Sequence, residues 1–363
     1  MAVLLAKSTE RESLRHDRQD CHSHPNHFLN IMRVLPLTMM RWIWAVIEVI
    51  RPALFVLALC VASSAQSFGF ISEPIHGVTV DDKNDIRDAP FLAKLLDSLR
   101  HLSVKPTVRI VYAPGKKNGY FPANSYLDAT RQIKSVGSVF GQPVDSFYMK
   151  CFTPAEYLNR FKDYVTTLSP FVDIWEVGNE INGEWLFGNT KRCSPKASVN
   201  STSQTDVVTK MTETFDFLKS EGKVTALTLY YNTPCRRPAA NEMFTWADAK
   251  IPARIKIGLD YLLVSYYEVD CHGRQPNWQQ VFSQLATMFP NSKLGISEFG
   301  WSDKRVPNPV VKDLVERYYA LHPKISNWVG GGFYWEFAID MVPYDPASDS
   351  LWSTINTAMA NQK

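Results

Sequence analysis

From residue 76 to the C-terminus the chain alternates between two kinds of apolar pattern, and few folds accommodate that rhythm over so long a stretch. Runs rich in β-branched and aromatic residues, read as strands, cover 76–80, 107–112, 146–152, 173–177, 224–231, 261–267, 293–298 and 331–337. Segments with apolar residues every three or four positions, read as helices, cover 89–102, 125–136, 154–168, 205–221, 241–249, 278–289, 309–322 and 350–361. Most of the strands are apolar nearly throughout, as expected where a parallel sheet is covered on both faces. Strand–helix pairs in this order predict a (β/α)8 TIM barrel. An open doubly wound sheet is the alternative, but no Gly-x-Gly-x-x-Gly turn follows the first strand. No internal repeat or low-complexity linker breaks the pattern, so residues 66–363 read as a single domain.

The N-terminus differs. Residues 42–62 are apolar but interrupted by Glu48, Arg51 and Pro52, which leaves an unbroken run over 53–62. That length suits the core of a signal peptide and is short for a bilayer span. Ser63 and Ala65 offer a cleavage site before Gln66, and Met40 with Arg41 would begin a signal of ordinary length. Residues 40–65 are therefore read as a signal peptide and 1–39 as an extension from an upstream start. The mature chain is expected to be secreted or extracytoplasmic, without stable membrane insertion; an uncleaved anchor through 42–62 is the alternative. Leu59 before Cys60 is too bulky for a lipoprotein signal.

Four of the six cysteines lie beyond this region, each near a strand end: Cys151, Cys193, Cys235 and Cys271. In an oxidising compartment they predict two disulfides, Cys151 with Cys193 and Cys235 with Cys271, since the strands concerned are barrel neighbours. The rival pairing is Cys193 with Cys235. No Cys-x-x-Cys pair points to zinc. Asn200-Ser-Thr202 is a glycosylation acceptor. A net charge of +3 with scattered basic residues gives no footing for nucleic acid, and a monomer is expected.

Two strands end in a glutamate, in Ile174-Trp-Glu-Val-Gly-Asn-Glu180 and in Leu294-Gly-Ile-Ser-Glu298-Phe-Gly-Trp301. A barrel gathers its strand ends on one face, so the carboxyl groups of Glu180 and Glu298 would meet there. Hydrolysis of a glycosidic bond requires such a pair: one carboxyl protonates the leaving oxygen, the other attacks the anomeric carbon or activates water. A carboxylate among Ile, Phe and Trp needs a cation to stay charged, and Arg109 on the second strand is the available partner. The charge on Glu298 would in turn help Glu180 keep its proton.

Ten tryptophans and fifteen tyrosines supply flat faces for sugar rings. Trp185, Trp301 and Trp335 stand just past strand ends as candidate platforms, whereas Trp246, Trp278 and Trp352 fall in helical patterns and read as packing. Glu176, Glu184, Glu268 and Glu336 are rival carboxylates; Glu176 is expected inside the barrel and Glu184 beyond its strand at the cleft. Asp81 and Asp82 read equally as contacts to a distal sugar and as exposed loop residues.

These motifs resemble glycoside hydrolase clan A, whose retaining members carry Asn-Glu at the end of the fourth barrel strand and a second glutamate at the end of the seventh. The resemblance implies Glu180 as general acid/base, Glu298 as nucleophile and Asn179 as the partner of the sugar 2-hydroxyl. It implies Arg109 beside the nucleophile, and Tyr266 or Tyr267 of Val264-Ser-Tyr-Tyr267 against the same carboxylate. Trp335 of Phe333-Tyr-Trp335 becomes the floor under the sugar. The implied protein is a retaining glycosidase acting on an oligo- or polysaccharide, with neither metal nor other cofactor. The cellulase-like family 5 is the nearest group, although no His ends the third or sixth strand. A catalytically silent carbohydrate-binding barrel is the alternative. A metal-dependent hydrolase should show His-x-His after the first strand, where His76 stands alone.

Overall fold

The computed structural model describes residues 74–81, 86–112, 121–193, 196–233, 239–301 and 308–363. The expected N-terminal extension (1–39), the expected signal peptide (40–65), Asp82 and Cys235 lie outside the described residues. Eight strands close into a barrel: β1 (Ile75–Asp81), β2 (Thr107–Val111), β3 (Ser138–Gln142), β4 (Ile174–Gly178), β5 (Thr225–Tyr230), β6 (Tyr261–Tyr266), β7 (Lys293–Gly300) and β8 (Trp328–Trp335). Each pairs in parallel with the next, and β8 returns to β1. Among the described residues the principal helices are α1 (Ala89–Arg100), α2 (Leu127–Lys134), α3 (Pro154–Leu168), α4 (Gln204–Ser220), α5 (Met243–Lys250), α6 (Trp278–Met288), α7 (Asn308–Tyr319) and α8 (Leu351–Ala360). Several start where the sequence marks a start. Thr153 with Glu156, and Ser203 with Asp206, form reciprocal capping boxes at α3 and α4.

The third strand departs from the sequence reading: it is Ser138–Gln142, and the expected segment 146–152 begins instead with a helical turn, Ser146–Met149. Asp145 causes the difference by accepting the Phe147 N–H at 2.8 Å and capping that turn. The true strand is disguised by Gly141. A Cβ there would stand 3.0 Å from Val172 and 3.4 Å from the Trp175 ring of β4, so the glycine makes room for a neighbouring strand's indole. The remaining elements follow the expected order to within a few residues. The pattern at 241–249 resolves into α5 and, after Pro252, a short helix Ala253–Gly258.

The barrel interior is layered. At the N-terminal end of the strands Ile75, Phe140, Ile174, Ala226, Tyr261, Leu263, Val329 and Phe333 form an apolar plug, separate from the larger core between barrel and helices. Phe333 meets Phe140 edge-on, centroids 5.5 Å apart, and lies over Gly77, where an added Cβ would fall 2.5 Å from its ring. Glycines also let β8 bend: Gly330, Gly331 and Gly332 have φ of 82°, 95° and 67°, and register slips occur against both neighbours. Toward the strands' C-terminal ends the inward positions turn polar, beginning with Arg109, Glu176 and Thr228.

Candidate active site

Arg109, in the middle of β2, is wholly buried, a place where a guanidinium persists only with compensating charge. Glu176 on β4 supplies it. Nε and Nη2 of Arg109 donate to that carboxylate at 3.0 to 3.1 Å, and Thr228 on β5 donates to it as well. Nη1 remains, and it donates to Glu298 Oε2 at 2.6 Å. The other oxygen of Glu298 accepts from the Tyr267 hydroxyl at 2.6 Å. Burial by itself would lower the Arg109 pKa, but Glu176 and Glu298 outweigh it and the net shift is upward. Burial, and after it the charge of Glu298, pushes the Tyr267 phenol well above its usual range, so it stays a donor. Glu298 Oε2 thus faces a guanidinium, which can only donate, an arrangement that suits a carboxylate.

Glu180 follows β4 by two residues, in the left-handed region (φ 48°) that a non-glycine residue enters at a cost. Its side chain is almost wholly buried, with Oε2 accepting from Ser146 Oγ at 2.8 Å and Oε1 from Ser265 Oγ at 2.7 Å. Burial first, and the charge of Glu298 second, raises its pKa to about 8 against the downward pull of the two serines. Ser265 is also the residue that pairs with Glu298 across the β6–β7 ladder. The two carboxyl groups therefore share one end of the barrel. Asn179 is anchored through its Oδ1, which accepts the Ser146 N–H at 3.0 Å, while its buried Nδ2 has no partner among the described residues. Gln142, the last residue of β3, is 1 % exposed, and among the described residues neither polar atom of its amide has a partner. A buried polar atom left dry costs about 1–3 kcal/mol.

The other residues singled out from the sequence fall in several places. Tyr266 points to the opposite side of β6 from Tyr267; its hydroxyl donates to the Arg274 carbonyl and its ring packs on Tyr231 and Trp278. Trp185 is partly buried, donates its indole N–H to Ser146 Oγ at 3.1 Å and meets Tyr230 edge-on at 5.4 Å. Trp301 follows β7 and packs partly buried against the core. Trp335 ends β8, partly exposed, two residues beyond Phe333 and so on the interior side by alternation; its peptide bond to Glu336 is cis. Glu336 accepts the Asp81 N–H at 3.2 Å, and Glu268 is gripped by Arg317 at 2.6 and 3.1 Å. Trp246, Trp278 and Trp352 are buried packing residues. Cys151 and Cys193 form a disulfide, their Cα atoms 5.6 Å apart, and Cys271 is disulfide-bonded too. Among the described residues no group of three or more His, Cys, Asp or Glu is placed to hold a metal ion.

Four residues of the site escaped the sequence reading. Ser146, Asp145 and Gln142 were hidden by the misplaced third strand, although Asp145-Ser146 carries the signature of a helix cap. Ser265 lay inside the Val-Ser-Tyr-Tyr motif, overlooked beside its tyrosines. Asp145 belongs to the charge field of the site, since burial, followed by the charge of Glu298, raises its pKa to about 7.

No protein-family model matches the chain, and no curated protein matches it in sequence. Solved structures do match in shape. Saccharomyces cerevisiae Gas2p in complex with laminaripentaose is 12 % identical, with a TM-score of 0.49 over 82 % of this chain and 67 % of that one. An E-to-Q mutant of the same yeast protein, in complex with laminaritetraose and laminaripentaose, is 14 % identical, again at 0.49, over 82 % and 65 %. An FMN-binding β-glucuronidase from Facaelibacterium prausnitzii L2-6 is 12 % identical, at 0.42, over 74 % of this chain. The chain spans 38 % of that β-glucuronidase and about two thirds of the yeast protein.

Proposed function

We propose that the protein is a retaining glycoside hydrolase of a β-linked oligo- or polysaccharide, working in a secreted or extracytoplasmic setting. Glu298 attacks the anomeric carbon while Glu180 protonates the leaving oxygen; Glu180 then acts as base for the water that frees the sugar from Glu298. One observation carries this reading: at one end of the barrel, two carboxyl groups have opposite surroundings. Glu298 accepts from a buried guanidinium and a phenol, whereas Glu180 is buried beside that charge and holds its proton to about pH 8. When the glycosyl bond consumes the charge of Glu298, one cause of the raised pKa vanishes and Glu180 can take a proton from water. Asn179 Nδ2 and the Gln142 amide are suited to sugar hydroxyls, Trp335 to the ring face. The Cys151–Cys193 bridge suits an oxidising compartment, with Cys235 and Cys271 as the proposed second pair. Retention calls for the two carboxyl groups to lie about 5 to 5.5 Å apart.

The test begins with a panel of aryl β-glycosides and of β-glucan, mannan and xylan. Glu298→Ala should lose activity on every substrate and, with azide, yield glycosyl azide of inverted configuration. Glu180→Ala should still accept a substrate with an activated phenol leaving group, release retained glycosyl azide, and lose about 10²- to 10⁴-fold on natural glycans. Binding of glycans without cleavage would instead identify a silent carbohydrate-binding barrel. The same azide anomer from both variants would overturn the assignment of roles.

A further inference from the structure

We propose that Trp185, Ser146 and Ser265 decide which oxygen of Glu180 carries the acid proton. Ser146, turned by Trp185, keeps Oε2 free of it, and the proton stays on Oε1, hydrogen-bonded to Ser265 Oγ. The functional meaning rests on the reading of Glu180 as the acid; the location of the proton can be tested apart from that.

An indole N–H only donates. Trp185 Nε1 donates to Ser146 Oγ at 3.1 Å, so that oxygen is the acceptor there and its single O–H is left for Glu180 Oε2, 2.8 Å away. The Ser146 backbone is held in place by its N–H, which donates to Asn179 Oδ1 at 3.0 Å. Trp185 is held edge-on against Tyr230, and the Cys151–Cys193 bridge ties the segment after Ser146 to the segment after Trp185. Oε2 therefore always meets a hydroxyl proton, and a second proton on it would face the first. Ser265 differs. Its hydroxyl, wholly buried, lies 2.7 Å from Oε1, and no other donor among the described residues fixes which way it turns. It can accept a proton held on Oε1 and can rotate to donate once that proton has left.

The catalytic cycle follows. In the first step the proton passes from Oε1 to the glycosidic oxygen, the C–O electron pair goes to that oxygen, and Glu298 bonds to the anomeric carbon. Ser265 then turns its O–H to Oε1. In the second step water bonds to the anomeric carbon, its proton goes to Oε1, and the pair of the breaking bond returns to Glu298. Ser146, Ser265 and Trp185 are positioning residues throughout.

Infrared difference titration of the free protein, with Glu180→Gln subtracted, reads the protonated carboxyl band without any substrate. The titratable groups around Glu180 are Glu298 on β7, Tyr267 after β6 and Asp145 after β3, and the variants alter none of them. Ser146→Ala removes the fixed donor to the charged form, so the midpoint should rise by about one pH unit, a tenfold change in proton affinity. Trp185→Phe should move it the same way by less. Ser265→Ala should shift the band to higher frequency, because the carboxyl O–H loses its acceptor, with a smaller change in midpoint. Ser265→Thr, which keeps the hydroxyl, should restore the band; Ser265→Cys, a weaker acceptor, serves if the alanine variant fails to fold. A band unmoved by Ser265→Ala, or a midpoint unmoved by both Ser146→Ala and Trp185→Phe, would overturn the proposal. This infrared pattern together with a blank activity panel would sink the glycosidase reading and leave the proton's location standing.

Discussion

The two ends of the barrel interior are built on the same strands yet obey different rules. At the N-terminal end Phe140, Phe333 and their neighbours fill the space with carbon, with Gly77 giving up its side chain to the Phe333 ring. Two residues further along the strands the same channel holds a buried arginine, three glutamates, and amides with unpartnered atoms. The apolar end is what a stable barrel needs. The polar end is costly, because buried charges and dry polar atoms lower stability unless they are paired. Its arrangement, a strained Glu180 with a raised pKa beside an ion-paired Glu298, is what chemistry needs. The lower layer is thus a floor that lets the upper layer exist.

The polar end depends most on Arg109. Replacing it by Met strands Glu176 and Glu298 as buried carboxylates without a cation, so stability should fall by about 3–5 kcal/mol. Glycosidase activity should fall by about 10²- to 10³-fold in whatever protein still folds. Denaturant unfolding and kcat on an aryl β-glycoside check both. A stable, fully active variant would show that the ion pair is dispensable.

Phe333→Ala strikes the floor alone. The cavity should cost about 3–5 kcal/mol in unfolding free energy while kcat stays within a few-fold of wild type. A selective loss of kcat without loss of stability would erase the proposed division of labour.

At Glu180 the expected effect depends on pH. Its folded pKa, about 8, lies above the ordinary 4.5, so its contribution to stability is full below about pH 4.5 and is lost as pH rises toward 8. Gln cannot titrate. The Tm of Glu180→Gln relative to wild type should therefore climb between pH 4.5 and 8, as differential scanning at a series of pH values would show. A difference independent of pH would mean that Glu180 is ordinary in its titration.

Much of this was legible in the chain because it depends on local pattern. Alternating apolar periods gave the strand–helix order, and motifs at two strand ends pointed to Glu180 and Glu298. Arg109 was findable because a buried carboxylate demands a cation. The third strand was not legible: two short apolar segments, 138–142 and 146–152, compete there, and what decides is Asp145 capping one of them and the Trp175 ring lying against Gly141 of the other. That error carried Gln142 and Ser146 with it. Tyr266 and Tyr267 are equivalent as letters in the motif; strand alternation in the folded barrel sends one to the core and the other to Glu298.

The rhythm of elements, the pair of strand-end glutamates and the cysteines available to bridge could be read along the chain, because each is a matter of residue type and spacing in one dimension. Which donors face which carboxyl oxygen depends on the closed barrel. Ser146, Ser265 and Trp185 come from three separate segments, and no spacing along the chain encodes the direction of a hydroxyl that closure of the barrel alone brings within 2.8 Å of Glu180.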